Sequence, residues 1–173
     1  MTTITENTDC ADALKKLGAM IQSIRIAMMT TTTQDDCLRS RPMATQETPF
    51  ENDEYLWFFT SRDSGKVEEI EEEHQVNLAY SSTDDNTYVS ISGRASTVRD
   101  QEKIDELWSP MLKAWFPAGK DDPEIALLRV APEQAEYWEA TSNRMVMMAG
   151  MVKAIATGES FEPGENKKMN LES

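Results

Sequence analysis

The residue types best suited to binding chemistry lie in the segment Phe59-Thr60-Ser61-Arg62-Asp63-Ser64-Gly65-Lys66. This segment follows a short apolar run, typical of a buried strand, and leads into a predicted helix. Free N–H groups and the dipole at a helix N-terminus attract anions, and a lysine in the first turn adds positive charge. Thr60, Ser61 and Ser64 supply hydroxyl donors for phosphate oxygens. Taken alone, the local pattern favours a simpler interpretation, an ordinary N-cap at Ser64 followed by a solvated Lys66.

A second candidate segment is Arg39-Ser40-Arg41-Pro42-Met43, on a predicted strand. Proline cannot donate a hydrogen bond to a neighbouring strand. Pro42 therefore indicates a sheet edge, a bulge, or a place where something other than a strand packs. The adjacent Arg41 is then able to face an anion. The alternative is an edge-strand proline beside a surface arginine.

The charge balance argues against several kinds of partner. The chain has 173 residues, with 17 Lys+Arg against 31 Asp+Glu, and a formal net charge of −14. Such a surface repels nucleic acids and anionic membranes, so we expect neither as a partner. No apolar run approaches the roughly 18 residues of a membrane helix, and the polar, acidic start predicts no secretory signal. We expect a cytoplasmic protein.

The cysteine and histidine content narrows the chemistry further. Cys10 and Cys37 show no metal-binding or redox spacing and fit free thiols in a reducing cytoplasm. The single histidine, His74, excludes sites that need two histidines, and it follows glutamates at what is predicted to be a solvated helix end. The glutamate-rich run at residues 68–73 is interpreted as a solvated helix face. We expect no metal centre, and the sequence nominates no catalytic acid or base.

The periodicity of apolar residues predicts a mainly β protein with peripheral helices. Short strands joined by hairpins indicate a small antiparallel barrel of about six strands, because closing a sheet removes aggregation-prone edges. We predict a flexible N-terminus over residues 1–8, one domain over 9–158 and a polar tail over 159–173. Helices are predicted at 9–22, from 64, at 100–108, at 110–115 and at 150–157, and strands at 24–33, 38–45, 55–60, 76–81, 88–98, 125–130, 136–138 and 144–148.

Several short motifs occur in a fixed order along most of the chain, from about residue 17 to residue 158. They are Arg41-Pro42-Met43, Leu56-Trp57-Phe58-Phe59-Thr60, Lys66-Val67, Tyr88-Val89-Ser90-Ile91-Ser92-Gly93, and Trp108-Ser109-Pro110 with Trp115-Phe116-Pro117. In this order they resemble the general stress protein branch of the pyridoxamine 5′-phosphate oxidase-like, FMN-binding split barrels. The resemblance implies a six-stranded antiparallel split barrel with flavin mononucleotide (FMN) at the interface of a homodimer.

The resemblance also implies roles for individual residues. Arg41, Pro42 and Met43 would line the flavin ring and its ribityl chain. Thr60, Ser64 and Lys66 would hold the phosphate, with Phe59 beside them, and Trp115 would cover the flavin from the partner subunit. The FMN contacts implied outside the Arg41–Met43 motif are Phe59, Thr60, Ser61, Ser64, Lys66, Val67 and Trp115.

Departures from the vitamin B6 phosphate oxidases limit what the resemblance implies about activity. Those enzymes carry Ser-Arg-Lys at the helix start, where this chain has Ser64-Gly65-Lys66. Their arginine- and serine-bearing substrate segment is replaced by residues 115–123, and their C-terminal Arg-Leu-His motif is absent. We therefore expect no oxidation of pyridoxine 5′-phosphate.

Three hypotheses of function remain from the sequence. The first is an FMN-dependent oxidoreductase acting on an unidentified small substrate. The second is a flavin carrier or stress sensor without turnover. The third keeps the barrel but replaces FMN by haem or deazaflavin. His74 is a poor axial ligand for haem, and no added basic patch suits the longer acidic tail of deazaflavin.

Overall fold

The computed structural model describes residues 3–47, 55–140, 144–158, 160–161 and 164–171, with backbone only at residues 3–11 and 144–146. Seven strands and four α-helices follow one another in these ranges. They are α1 (Thr3–Ile24), β1 (Ile26–Thr32), β2 (Leu38–Ala44), β3 (Leu56–Ser61), α2 (Gly65–Glu72), β4 (Gln75–Ser82), β5 (Thr87–Val98), α3 (Gln101–Leu107), a 3-10 helix (Pro110–Ala114), β6 (Ile125–Ala140), α4 (Arg144–Thr157) and β7 (Gly164–Asn170).

The strands form one antiparallel sheet in the order β2-β1-β4-β5-β6-β3, with β7 also paired to β6. β2 and β3 stand at opposite ends of this order. The sheet nevertheless curls until, within the described residues, one bridge joins Thr45, next to β2, to Phe58 of β3, without a closed ladder between the two strands. The predicted mainly β, antiparallel split-barrel class is confirmed, with seven strands described where about six were predicted.

The main core fills the inside of the curled sheet. Alternate residues of β4 and β5 point inward, among them Leu78, Tyr80 and Ile91, which are at most 1% exposed. Helix α1 covers this core with Leu17 and Ile21. Each fully buried aliphatic side chain of this size contributes roughly 1.5–3 kcal/mol to folding.

A second, smaller core holds the elements that flank the candidate site. Trp57 and Leu127 present their side chains on the outer side of the β3–β6 pair, where Ile104 and Leu107 of α3 pack. Phe116, just after the 3-10 helix, is buried in the same cluster. This packing fixes the 3-10 helix beside the end of β3.

β5 and β6 approach each other closely at Gly93. The register of the two strands shifts between Ser92 and Gly93. A Cβ atom at residue 93 would lie 2.3 Å from the carbonyl oxygen of Ala131, which is closer than non-bonded atoms approach. Only glycine fits this bulge.

Three segments differ from the sequence-based expectation. The first helix begins at Thr3 rather than near residue 9, so it includes most of the N-terminal segment predicted to be flexible. The strand predicted at residues 144–148 is wrong, because these residues belong to α4. The predicted polar tail contains β7, which pairs with the second half of β6. Short apolar runs are ambiguous between strand and helix, and polar edge strands carry little periodicity.

Within the described ranges, no helix is both long and apolar enough to cross a bilayer.

Candidate functional site

A groove of about 490 Å³ lies where the ends of β2 and β3 meet the start of α2 and the residues after the 3-10 helix. It combines a polar end with an apolar wall. Its lining residues are Ile26, Pro42, Met43, Ala44, Gln46, Phe59, Thr60, Ser61, Lys66, Leu112, Trp115 and Phe116. The structure thus brings together the predicted residues Pro42, Met43, Phe59, Thr60, Ser61, Lys66 and Trp115 in one cavity.

Lys66 and Thr60 lie at the polar end of the groove, and Ser64, which does not itself line the groove, is bonded to Thr60. The Lys66 Nζ donates a hydrogen bond to Thr60 Oγ1 at 3.0 Å. The Oγ atoms of Thr60 and Ser64 lie 3.1 Å apart in a second hydrogen bond. Ser64 occupies the N-cap position of α2, but its side chain makes no capping hydrogen bond. The hydroxyl is turned toward Thr60, so the simple N-cap interpretation of the sequence does not describe its contacts.

The position of Lys66 follows from the local sequence. β3 ends in Thr60 and Ser61, the chain turns, and α2 begins at Gly65, which places Lys66 in the first helical turn. Val67, the next residue, is 6% exposed and anchors the helix by pointing to the interior, away from the groove lining. Lys66 is only partly exposed. The start of α2 and its dipole add to the positive potential of the lysine.

The environment of Lys66 lowers its pKa below the ordinary value of 10.5. Burial is the largest cause, since it disfavours the charged ammonium, and the positive charge of Arg41 adds to the effect. The negative charge of Glu69 opposes both. An anion bound at the polar end would counteract the effects of burial and of Arg41, because its negative charge stabilises the charged ammonium group. This environment of Lys66 therefore favours the binding of an anion.

The other wall of the groove is apolar and partly aromatic. Phe59 contacts Phe116 and Trp108, with ring centroids 6.3 and 6.1 Å apart. Trp115 is 70% exposed, although it lines the same groove. Pro42 faces outward from β2, paired in register with Met28 of β1. A flat apolar ring fits this wall, while an anionic group fits the polar end.

Arg41 lies next to the groove without lining it. Its Nη2 atom is 2.6 Å from Glu69 Oε2, and its Nη1 atom donates to Thr31 Oγ1 at 2.7 Å. The side chain of Arg41 is 17% exposed and that of Glu69 8%. The arginine predicted to line the flavin is therefore held in a buried ion pair, near enough to Lys66 to lower its pKa.

Glu69 is the residue that sequence reasoning missed. The glutamates of residues 68–73 are predicted to form a solvated helix face, yet Glu69 is 6% exposed. Burial alone would raise the pKa of its carboxyl group, but hydrogen bonds from Thr31 and Arg41 and the charges of Arg41 and Arg39 hold that pKa below its ordinary value. The available signal was its position beside Ile70 on the inner face of α2, together with two arginines spaced two apart on a strand.

The described residues contain no group of three or more His, Cys, Asp or Glu side chains arranged to hold a metal ion. His74 is exposed at the end of α2, outside the groove lining. Cys37 is an exposed free thiol, and the side chain of Cys10 lies outside the described part of the chain.

The fold and this groove define a known class of protein. The family model described as "Pyridoxamine 5'-phosphate oxidase like" matches residues 12–162. The chain therefore belongs to the pyridoxamine 5′-phosphate oxidase-like family, as the order of its motifs predicted.

Similar proteins point to the general stress protein branch. General stress protein 26 of Bacillus subtilis is 30% identical over 105 residues, which cover 59% of this chain and 74% of that protein. A crystal structure described as the general stress FMN/FAD binding protein of Xanthomonas citri is 30% identical, with a TM-score of 0.68 over 77% of this chain and 92% of the other. A putative general stress protein 26 from Jannaschia, 23% identical, shares the fold with a TM-score of 0.73 over 93% of this chain and 99% of the other. The predicted branch is confirmed.

Proposed function

We propose that this protein is a cytoplasmic, homodimeric flavoprotein that binds FMN in the groove and uses it for redox chemistry on a small substrate. The observation that carries the proposal is the arrangement of Lys66 and Thr60, with Ser64 bonded to Thr60, in a groove that is also lined by aromatic side chains. Membership in the family and the FMN/FAD-binding description of the Xanthomonas citri protein support it.

The residues of the groove fit FMN in both polarity and size. FMN has a flat, largely apolar ring system at one end, a polyhydroxyl chain, and a phosphate at the other. Lys66 with the hydroxyls of Thr60 and Ser64 would hold the phosphate, and Pro42 with Phe59 would face the ring system. A cavity of about 490 Å³ lies within the range of small-molecule and cofactor sites. None of the residues that line it is a histidine, which speaks against a haem there.

A second copy of the chain is proposed to complete the site. The outer face of the sheet carries apolar side chains that are exposed in the single chain, including Ile26 (49%), Met28 (42%), Tyr88 (40%) and Trp138 (38%). Ile26 belongs to this face and also lines the groove, so the exposed surface continues into the site. A twofold contact on this face would cover apolar surface and close the open side of the groove at the same time.

In redox chemistry, the protein's own residues would position the flavin and the substrate rather than act as acid–base catalysts. FMN, when bound, supplies hydride or single-electron transfer at its ring system. Among the described residues that line the groove, Lys66 is the single one with an ionisable side chain, and it lies at the proposed phosphate end. The same observation favours the second candidate, a flavin carrier or sensor without turnover. Steady-state reduction of a quinone-like acceptor by a reduced nicotinamide distinguishes the enzyme from the carrier.

Oxidation of pyridoxine 5′-phosphate is not part of the proposed function. The loop at residues 116–123 contains one lysine, Lys120, and its Nζ is already 3.0 Å from Asp105 Oδ1. Asp121 and Asp122 follow it and are exposed or partly exposed. A phosphate ester brought to this loop would meet negative charge, which costs on the order of 1 kcal/mol for each close like-charge pair even at high dielectric.

The proposed function is tested on the purified full chain. Oxidised flavin absorption that is released by heat and identified as FMN by mass would support it. Protein that is colourless as purified and that binds neither FMN nor riboflavin in titrations would contradict it.

A further inference from the structure

A closed set of hydrogen bonds surrounds the buried carboxylate of Glu69. Thr31 Oγ1 donates to Glu69 Oε2 at 2.5 Å, and Arg41 Nη2 donates to the same oxygen at 2.6 Å. Arg41 Nη1 donates to Thr31 Oγ1, which closes a triangle of three side chains. The other carboxylate oxygen accepts from Arg39 Nη1 at 3.0 Å. Since Thr31 is 1% exposed and Glu69 6%, the triangle is shielded from solvent, whereas the side chain of Arg39 is 64% exposed.

This triangle is joined to the groove by two elements, α2, which carries both Glu69 and Lys66, and β2, where Arg41 precedes the lining residue Pro42. Glu69 follows Lys66 by three residues on α2, so the two side chains start one helical turn apart. The charges of Arg41 and Glu69 both act on the pKa of Lys66, in opposite directions. The anion site is thus bordered by two cations, Lys66 and Arg41, and by the buried carboxylate of Glu69, which is bound to Arg41 and, at its other oxygen, to the more exposed Arg39.

A dianionic phosphate in the groove would interact with all three charges. It would be attracted by Lys66 and Arg41 and repelled by Glu69, and it would compete with Glu69 for the guanidinium of Arg41. An isolated buried arginine is costly, so the internal carboxylate keeps the site stable when no phosphate is bound. The consequence is that the phosphate binds more weakly than the two cations alone would allow.

We propose that Glu69 is an internal counter-anion of the phosphate site, a positioning residue that holds Arg41 and limits the affinity for phosphate-bearing flavin. The proposal rests on the proposed function, because it concerns the same groove. It assigns to Glu69 a role in cofactor exchange: a site with this counter-anion releases FMN more readily than one without it. Glu69 should weaken the binding of FMN but not of riboflavin, since the phosphate is repelled by the carboxylate and the flavin ring carries no charge for it to repel.

The test compares FMN with riboflavin, which lacks the phosphate, on the variant Glu69→Gln. This substitution keeps the size of the side chain and removes its charge. We expect FMN to bind about five- to tenfold more tightly than to the unmodified protein, with riboflavin affinity changed less than twofold. The matched control is Glu72→Gln, which removes the same charge one turn later from an exposed side chain of α2. It should change neither affinity by more than about twofold.

Other outcomes overturn the proposal. If the role of Glu69 is purely structural, Glu69→Gln will bind FMN and riboflavin more weakly to the same extent. If Glu69 serves to present Arg41 to the phosphate, the variant will bind FMN alone more weakly. If the unmodified protein binds neither flavin, it is the proposed function that fails. If it binds both and Glu69→Gln fails to tighten FMN, the counter-anion proposal alone fails.

A measurement on the unmodified chain covers the case in which Glu69→Gln does not fold. The guanidinium NMR signals of Arg41, assigned with Arg41→Lys, report whether the arginine stays with Glu69. We expect them to shift on saturation with FMN and with inorganic phosphate, and to stay in place with riboflavin. Signals that are unchanged by FMN would show that the phosphate does not compete with Glu69 and would overturn the proposal.

Discussion

Trp115 and Phe116 are neighbours in the chain but have opposite environments. Phe116 is 8% exposed and packs in the smaller core, while Trp115 is 70% exposed and stands at the edge of the groove. The buried phenylalanine fixes the backbone, and the exposed tryptophan contributes little to the core. A large aromatic side chain left in solvent beside a cavity is typical of a residue that contacts a ligand or a partner.

Trp115→Ala is expected to lower the affinities for FMN and for riboflavin equally, by about three- to thirtyfold, because stacking on the flavin ring does not involve the phosphate. Thermal stability without flavin should change little, since the side chain is mostly exposed. Fluorescence titration with both flavins measures the effect. The control Met111→Ala removes an exposed apolar side chain from the same 3-10 helix region without touching the groove lining. A loss confined to FMN would contradict this placement of Trp115.

Met28→Glu is expected to produce a folded monomer that no longer retains flavin. Met28 is 42% exposed on the outer face of the sheet, so a charge there does not enter the core, but it would oppose the proposed contact between two copies. Sedimentation at micromolar concentration, with absorption of flavin recorded in the same run, measures both properties. Met28→Leu should behave as the unmodified protein. A flavin-loaded monomer would show that one chain suffices for the site.

Gly93→Ala is expected to lower the free energy of unfolding by about 2 kcal/mol or more, since the new methyl group would displace the backbone of β6 at Ala131. Gly65→Ala is the matched control, because a Cβ atom there meets no atom within 4 Å and residue 65 begins a helix. Urea unfolding of both variants measures the difference. Equal stabilities would contradict the close approach of β5 and β6.

The buried Glu69 predicts a loss of stability in acid. Its pKa is lower in the folded protein than the ordinary value of 4.5, so the folded state binds fewer protons at this group than the unfolded chain does. The stabilising contribution is therefore complete at pH values above 4.5 and disappears as the pH falls through the folded-state pKa.

Urea unfolding of the unmodified protein and of Glu69→Gln at pH about 7 and about 3.5 tests this prediction. The unmodified protein should lose more stability between the two pH values than the variant does. Glu72→Gln, with its exposed side chain, should follow the unmodified protein. A parallel loss in the unmodified protein and Glu69→Gln would mean that Glu69 does not titrate in this way.

The polar end of the groove was predictable because its residues are local in sequence. A strand that ends in hydroxyl residues and turns into a helix already places Thr60, Ser64 and Lys66 close together. The contacts of Arg41 were not predictable in this way, because they depend on β2 meeting α2 across the fold. In the sequence, its position beside Ile70 and the two arginines on β2 are the signals that set Glu69 apart from the other four glutamates of residues 68–73.

The barrel class was predictable from the alternation in strands such as β4 and β5, which show regular burial of every second residue. The C-terminal elements were not predictable in the same way. Residues 144–148 form a short apolar run that could be strand or helix, and it is helical because the residues that follow continue the same helix. β7 is polar and mostly exposed, and it is held by main-chain pairing with β6 and by Lys16, whose Nζ lies 2.7 Å from Glu165 Oε2.

The affinity of Lys66→Ala for FMN and riboflavin is the most direct test of the central claim, that the groove holds the phosphate of FMN at Lys66. A charge-assisted hydrogen bond contributes roughly 1.5–3 kcal/mol, so calorimetry should show FMN weakened by about tenfold to a hundredfold and riboflavin nearly unchanged. Lys113→Ala, a lysine of the 3-10 helix outside the groove lining, is the control. Equal weakening of both flavins, or no weakening of either, would contradict the account.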